Sequence, residues 1–149
     1  MEYSEMTPAH VAGVAEIEKL CFSDPWSENS IAGELNNRLS LWFVALDGDR
    51  VAGYVGSQTV LGETDMMNIA VHPDYRRRGI GEALVETLVA ALVRNGSHSL
   101  MLEVRASNEP AKALYEKLGF VQVGRRPNYY RNPKEAALIL RKEWELRIF

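Results

Sequence analysis

The residues of this 149-residue sequence best suited to hold an anion are three arginines and two glycines, Arg76-Arg77-Arg78-Gly79-Ile80-Gly81. They follow a strand pattern, Asn68-Ile69-Ala70-Val71, and the breaker His72-Pro73-Asp74, and they open a helical pattern near Ile80. A helix N-terminus leaves backbone N–H groups unpaired, and glycine lets a phosphate approach them closely. Positive charge at such a terminus opposes the helix dipole, at about 0.3–1 kcal/mol for each nearby charge. An anionic ligand would remove that conflict. An ordinary solvated basic turn is the other reading. The run lacks the Gly-Lys-Ser/Thr of a P-loop, and it has too few glycines for a dinucleotide fingerprint.

Two further side chains could move protons. Glu103 lies in mid-strand, with Leu100, Leu102 and Val104 on one face and Met101, Glu103 and Arg105 on the other. Burial would raise the pKa of such a carboxyl toward the range of a useful general base. An exposed cross-strand partner for an arginine or lysine is the alternative. Tyr115 lies on a helix from Pro110 to Leu118, close to Ala111, Leu114 and Leu118. At that spacing a tyrosine packs in a core. Its phenol could also protonate a leaving thiolate, because phenol and thiol have similar proton affinities.

These residues need a scaffold. Thr7-Pro8 starts a helix that runs to about Leu20, and Ser27 caps a second through about Asn37. Leu41–Leu46, Val51–Leu61 and Asp65–Val71 read as a meander joined by Asp47-Gly48-Asp49 and Gly62-Glu63. A long helix runs from Ile80 to about Asn95, with Gly96 past its end. Ser99–Val104 is a strand, Asn108-Glu109-Pro110 opens a helix ended by Gly119, and Phe120–Val123 and Ala136–Leu140 are final strands. The order β-α-α-β-β-β-α-β-α-β-β predicts an α/β fold, a mixed and mostly antiparallel sheet flanked by helices.

Length predicts one domain over residues 1–149. Hydrophobic residues at 46% and charged residues at 25% suit a globular core rather than disorder. No apolar run approaches the roughly 20 residues that span a bilayer, and the N-terminus lacks a basic signal region. Cys21 is the sole cysteine, so no intrachain disulfide forms, and a cytoplasmic location is expected. Cys21 reads as a helix-end packing residue. His10, His72 and His98 are scattered, so no metal site is expected. A net charge of −3 gives no support for a nucleic-acid partner. Residues 1–40 hold seven acidic residues against Lys19 and Arg38, a local net charge of −5.

The arginine–glycine run resembles the Gln/Arg-x-x-Gly-x-Gly/Ala signature of the GNAT acetyltransferases, and Asn-Ile-Ala-Val-His-Pro resembles the strand that precedes it. That resemblance implies acetyl-coenzyme A as cosubstrate. It implies a pyrophosphate on the backbone amides of Arg77, Arg78, Gly79, Ile80, Gly81 and Glu82. It also implies a pantetheine arm along Ile69, Ala70 and Val71. The block Leu102–Phe120, with Pro25-Trp26-Ser27-Glu28 and Asn128-Tyr129-Tyr130, resembles the ribosomal-protein alanine acetyltransferases. The likeness implies Glu103 as base, Tyr115 as acid and Asn108 as a coenzyme A contact. It implies a ribosomal-protein N-terminus, alanine first, as acceptor. Other N-termini, lysines, a small amine, or a coenzyme A-binding module without catalysis are the alternatives. Trp26 reads as core anchor or cleft wall, and Tyr129-Tyr130 as sheet cover or substrate loop. In GNAT folds the first helices commonly line the acceptor side. Their acidity predicts an acceptor with basic residues after the alanine, with Glu28 and Glu34 as contacts.

Overall fold

The computed structural model describes residues 1–131 and 133–144; Asn132 and 145–149 lie outside them. Strand β1 (Glu2–Glu5) precedes a single 3-10 turn at Pro8–His10, helix α1 (Val11–Cys21) and helix α2 (Glu28–Glu34). A meander follows: β2 (Ser40–Asp47), β3 (Arg50–Val60) and β4 (Glu63–Val71). Helix α3 (Ile80–Arg94), β5 (Ser99–Arg105), α4 (Glu109–Lys117), β6 (Val121–Tyr130) and β7 (Glu135–Glu143) complete the order. The seven strands form one sheet in the order β1-β2-β3-β4-β5-β7-β6. Every pairing is antiparallel except β4 with β5.

Both faces of the sheet are covered, which explains the unbroken apolar run in β2. Trp42, Val44 and Leu46 pack with Val14, Ile17 and Ile31 of α1 and α2. Their alternates Phe43 and Ala45 pack with Leu84, Leu88 and Leu92 of α3, and Tyr115 of α4 joins that second core.

Two expected boundaries move. Helix α2 stops at Glu34 rather than near Asn37, because Asn37 turns the chain by accepting the Leu39 N–H on its own Oδ1 at 3.0 Å. Strand β6 continues well past Val123 to Tyr130. It is an edge strand, so it tolerates Pro127, and it carries a bulge in which four steps from Arg126 to Tyr130 answer to two on β7. Asn128, with φ of 57°, sits inside that bulge.

Candidate active site

The arginine–glycine turn is held by the β2–β3 hairpin. Arg50 Nη2 donates to Asp74 Oδ2 at 3.0 Å, and the Tyr75 hydroxyl donates to Asp47 Oδ2 at 2.6 Å. The guanidinium carbons of Arg50 and Arg78 each lie 5.1 Å from the Tyr75 ring centre. Within the turn Arg77 (φ 64°) and Gly79 (φ 75°) are left-handed. Gly79 is the N-cap of α3 and brings no side-chain cap, so the first-turn amides of the helix are left for another acceptor. A Cβ added at Gly79 meets nothing within 4 Å. Gly79→Ala therefore costs backbone strain alone, about 1 kcal/mol. A thermal melt should show a midpoint lower by about 2–4 °C.

The sheet opens beside this turn. Strands β4 and β5 pair only over Glu63–Asp65 and Ser99–Met101, then diverge. Met67 is an extra residue of β4 against β3, between the pairs Ser57–Met66 and Gly56–Asn68. The His72 N–H donates to Ala52 O of β3 at 2.8 Å. Strand alternation then directs the main-chain groups of Val71 and Ile69 to the opposite edge, toward β5. Among the described residues that edge has no strand partner after Asp65; the Ile69 N–H meets only the neighbouring Asn68 Oδ1 at 3.1 Å and the Val71 carbonyl the Cys21 thiol at 3.7 Å, so an extended ligand can add there as a strand.

The opening is a cleft of about 520 Å³. Asn68, Ile69, Ala70, Val71, Arg76 and Gly81 line one side. Glu103, Arg105, Asn108, Leu114, Tyr115 and Tyr130 line the other. Of the residues the sequence singled out, Ile69, Ala70, Val71, Gly81, Glu103, Asn108 and Tyr115 thus meet in one place. Arg77, Arg78, Gly79, Ile80 and Glu82 are not in its lining; they form the turn and first helical residues at its edge. Glu82 is paired with Lys117 Nζ at 3.0 Å. Asn108 spends its Oδ1 on the Ala111 N–H at 3.2 Å, capping α4, which leaves its amide Nδ2 as the group a ligand can meet.

Glu103 falls between its two sequence readings, partly buried with an arginine beside it, because β5 borders open cleft there. Its side chain is 25% exposed, and Arg126 Nη1 lies 3.9 Å from Oε1. Tyr115 is buried and packs edge-on to Phe120 at 5.4 Å. Burial, and then the neighbouring Tyr130, push its phenol up to about 12. It is a fully protonated donor at neutral pH. Tyr130 is also pushed up to about 12, by burial first and then by the charge of Glu103. Arg105 stacks on the Tyr130 ring at 4.3 Å. A second hollow of about 730 Å³ shares Arg105 and Tyr130 with the cleft and is lined also by Phe22, Asp24, Tyr129 and Arg131.

The family model for the acetyltransferase (GNAT) family matches residues 11–120, which include both walls of the cleft up to Tyr115. The chain belongs to the GNAT family. It is 40% identical over 139 residues to the ribosomal protein bS18-alanine N-acetyltransferase of Escherichia coli, spanning 92% of this chain and 93% of that protein. The enzyme of the same name from Salmonella typhimurium is 46% identical over 116 residues, 77% of each chain. Among solved structures, an Escherichia coli ribosomal-protein-alanine N-acetyltransferase superposes with a TM-score of 0.85 at 37% identity, covering 99% of both chains. Arabidopsis thaliana NAA60 in complex with acetyl-CoA superposes at 0.84 over 95% and 97% of the two chains. Its 18% identity speaks for the GNAT fold alone.

One expectation for the first helices of this GNAT domain fails. Glu34 is buried and fully used, taking Ser40 Oγ at 2.9 Å, Gln58 Nε2 at 3.0 Å and Asn37 Nδ2 at 3.4 Å. It touches neither hollow. Of the other acidic residues in 1–40, Glu18 is interior, Asp24 lines the second hollow beside Arg105 and Arg131, and Glu28 is exposed in the first turn of α2. A charge count along the chain could not see which carboxylates face inward. Asn68, Arg76 and Tyr130 also line the cleft, and sequence spacing alone gives no signal that they do.

Proposed function

We propose that the chain transfers the acetyl group of acetyl-coenzyme A to the N-terminal α-amine of a protein, and that the acceptor is the N-terminal alanine of ribosomal protein bS18, in the cytoplasm. The observation that carries this reading is the cleft itself. One opening in the sheet joins uncapped helix amides, a free strand edge, a carboxyl and a protonated phenol. The likeness to the bS18-alanine acetyltransferases supports the choice of acceptor.

The backbone amides from Arg77 to Glu82, in the turn and the first residues of α3, hold the pyrophosphate, and Ile69, Ala70 and Val71 pair with the pantetheine arm. Asn108 adds a side-chain contact. Glu103, directly or through water, takes a proton from the α-ammonium. The amine then attacks the thioester carbonyl; a C–N bond forms and the C–S bond breaks. Tyr115 delivers its proton to the departing sulfur, the acylated nitrogen gives up its second proton to Tyr115 through water, and Glu103 releases the first to solvent. Holding both reactants in one cleft supplies much of the rate. The hollow beside Tyr130 and Asp24 admits the acceptor chain.

Acetyl transfer to a peptide panel tests the reading. Alanine-initiated peptides should outpace blocked peptides bearing only a lysine side chain by about 10-fold or more. With a mixed-charge mouth, arginine or glutamate at the second position should change the low-salt rate less than the identity of the first residue does. A lysine side chain that outcompetes every N-terminal amine would remove the ribosomal acceptor.

A further inference from the structure

Glu18 of α1 is completely buried, and its hydrogen-bond partners carry no charge. Its Oε1 receives the Tyr54 hydroxyl and the Asn68 Nδ2, both at 2.6 Å, and its Oε2 lies 3.5 Å from the Trp26 N–H. Burying a carboxyl among neutral groups opposes folding, and an apolar side chain would fill the same core at less cost. Its retention needs another reason, and Asn68 supplies one. Burial and the bond to Glu18 raise the Tyr54 pKa, so that phenol stays a donor and Oε1 stays an acceptor. An acceptor there fixes the Asn68 amide: Nδ2 must face Glu18, and Oδ1 must face the other way. Oδ1 then takes the N–H of Ile69 at 3.1 Å. That N–H lies on the β5-facing edge of β4, two residues past the bulge residue Met67.

We propose that Glu18 is a positioning residue that acts through Asn68 to aim the Ile69 N–H into the cleft. The inference rests on the acetyl-transfer reading. The Asn68 side chain closes a short ring onto the next peptide, and so fixes the plane that carries the Ile69 N–H. Glu18 holds the side chain of Asn68 from behind. Once the thioester carbonyl is in the cleft, its oxygen shares this preset donor, and charge growing on that oxygen meets a dipole that need not reorient.

Acetyl-transfer kinetics and amide exchange by NMR test this in the full chain. Asn68→Ala should lower kcat about 10-fold with acetyl-coenzyme A affinity within about 2-fold of wild type. Glu18→Gln, which keeps the shape, should lower kcat about 3-fold or more, and the double variant should be no slower than Asn68→Ala alone. Ile69 amide exchange should quicken in both single variants. Tyr54→Phe removes the other short bond to the same oxygen; it should cost stability and leave kcat and Ile69 exchange near wild type. Multiplying losses in the double variant, an unchanged Ile69 amide, or a kcat loss in Tyr54→Phe equal to that of Glu18→Gln would overturn the inference. A wild-type enzyme inactive on every acceptor would instead overturn the acetyl-transfer reading, and the Ile69 amide would still decide whether Glu18 and Asn68 hold it.

Discussion

Glu103→Gln is expected to lower kcat by about 10²–10⁴-fold, the range typical of removing a general base. The amide keeps the size of the side chain and cannot accept the ammonium proton. It also ends the attraction to Arg126, 3.9 Å away, but that arginine is 53% exposed, so the fold should lose little. Tyr115→Phe should lower kcat about 10²-fold or more at unchanged acetyl-coenzyme A affinity. The ring, its packing on Phe120 and the helix are retained. Because the phenol is pushed up to about 12, Tyr115 stays protonated through neutral and mildly basic pH. Its raised pKa means that ionisation favours the unfolded chain once pH exceeds the ordinary tyrosine value. That loss of stability runs from about pH 10 up to about 12, and is absent below it. Any basic limb of kcat near neutrality therefore belongs to another group and should persist in Tyr115→Phe. Steady-state kinetics across pH check both variants. Wild-type turnover in both would remove the assigned proton transfers.

Gly81→Asp should weaken acetyl-coenzyme A binding by about 100-fold or more, equivalent to about 2.7 kcal/mol. A Cβ at Gly81 meets only Val71 Cγ2, at 3.9 Å, an ordinary van der Waals contact, so the backbone there accepts a side chain without a clash at Cβ. A carboxylate near a helix N-terminus even favours the folded protein. The loss falls on the ligand, through repulsion of the pyrophosphate and occupation of its space. Calorimetry gives the affinity and a thermal melt gives the fold. Full affinity in a folded variant would move the pyrophosphate away from this turn.

Much of the site was legible because its parts are local. The turn needs a strand end, a glycine at positive φ and a helix start, and all three lie within Asn68–Gly81. The strand parity of Glu103 also follows from its neighbours alone, and its face is the one that meets the cleft. What did not emerge depends on distant contacts. Glu18 looks like one more acidic residue on a helix; only the fold sets Tyr54 and Asn68 against it, 36 and 50 residues away. Tyr130 reaches the cleft because β6 runs beyond its expected end and bulges, an outcome decided by pairing with β7. Glu34 was misread for the same reason: its partner Gln58 lies across the α2–β3 contact.

The three-rung pairing between β4 and β5 makes the sheet mechanically two panels joined by a short seam. One panel is built on the β2–β3–β4 meander, whose strands meet near neighbours in sequence; the other is built on β5, β7 and β6. The seam joins residues 36 positions apart through the length of α3, so it costs more loop-closure entropy than the tight turns of the meander it adjoins. A ligand strand laid along Ile69 and Val71 would lengthen that seam and clasp the panels together. Such a ligand, at a concentration 100 times its Kd, stabilises the folded chain by about 2.7 kcal/mol. Cells short of acetyl-coenzyme A would then hold not only an idle enzyme but a looser one, less firmly clasped along the seam between its two panels.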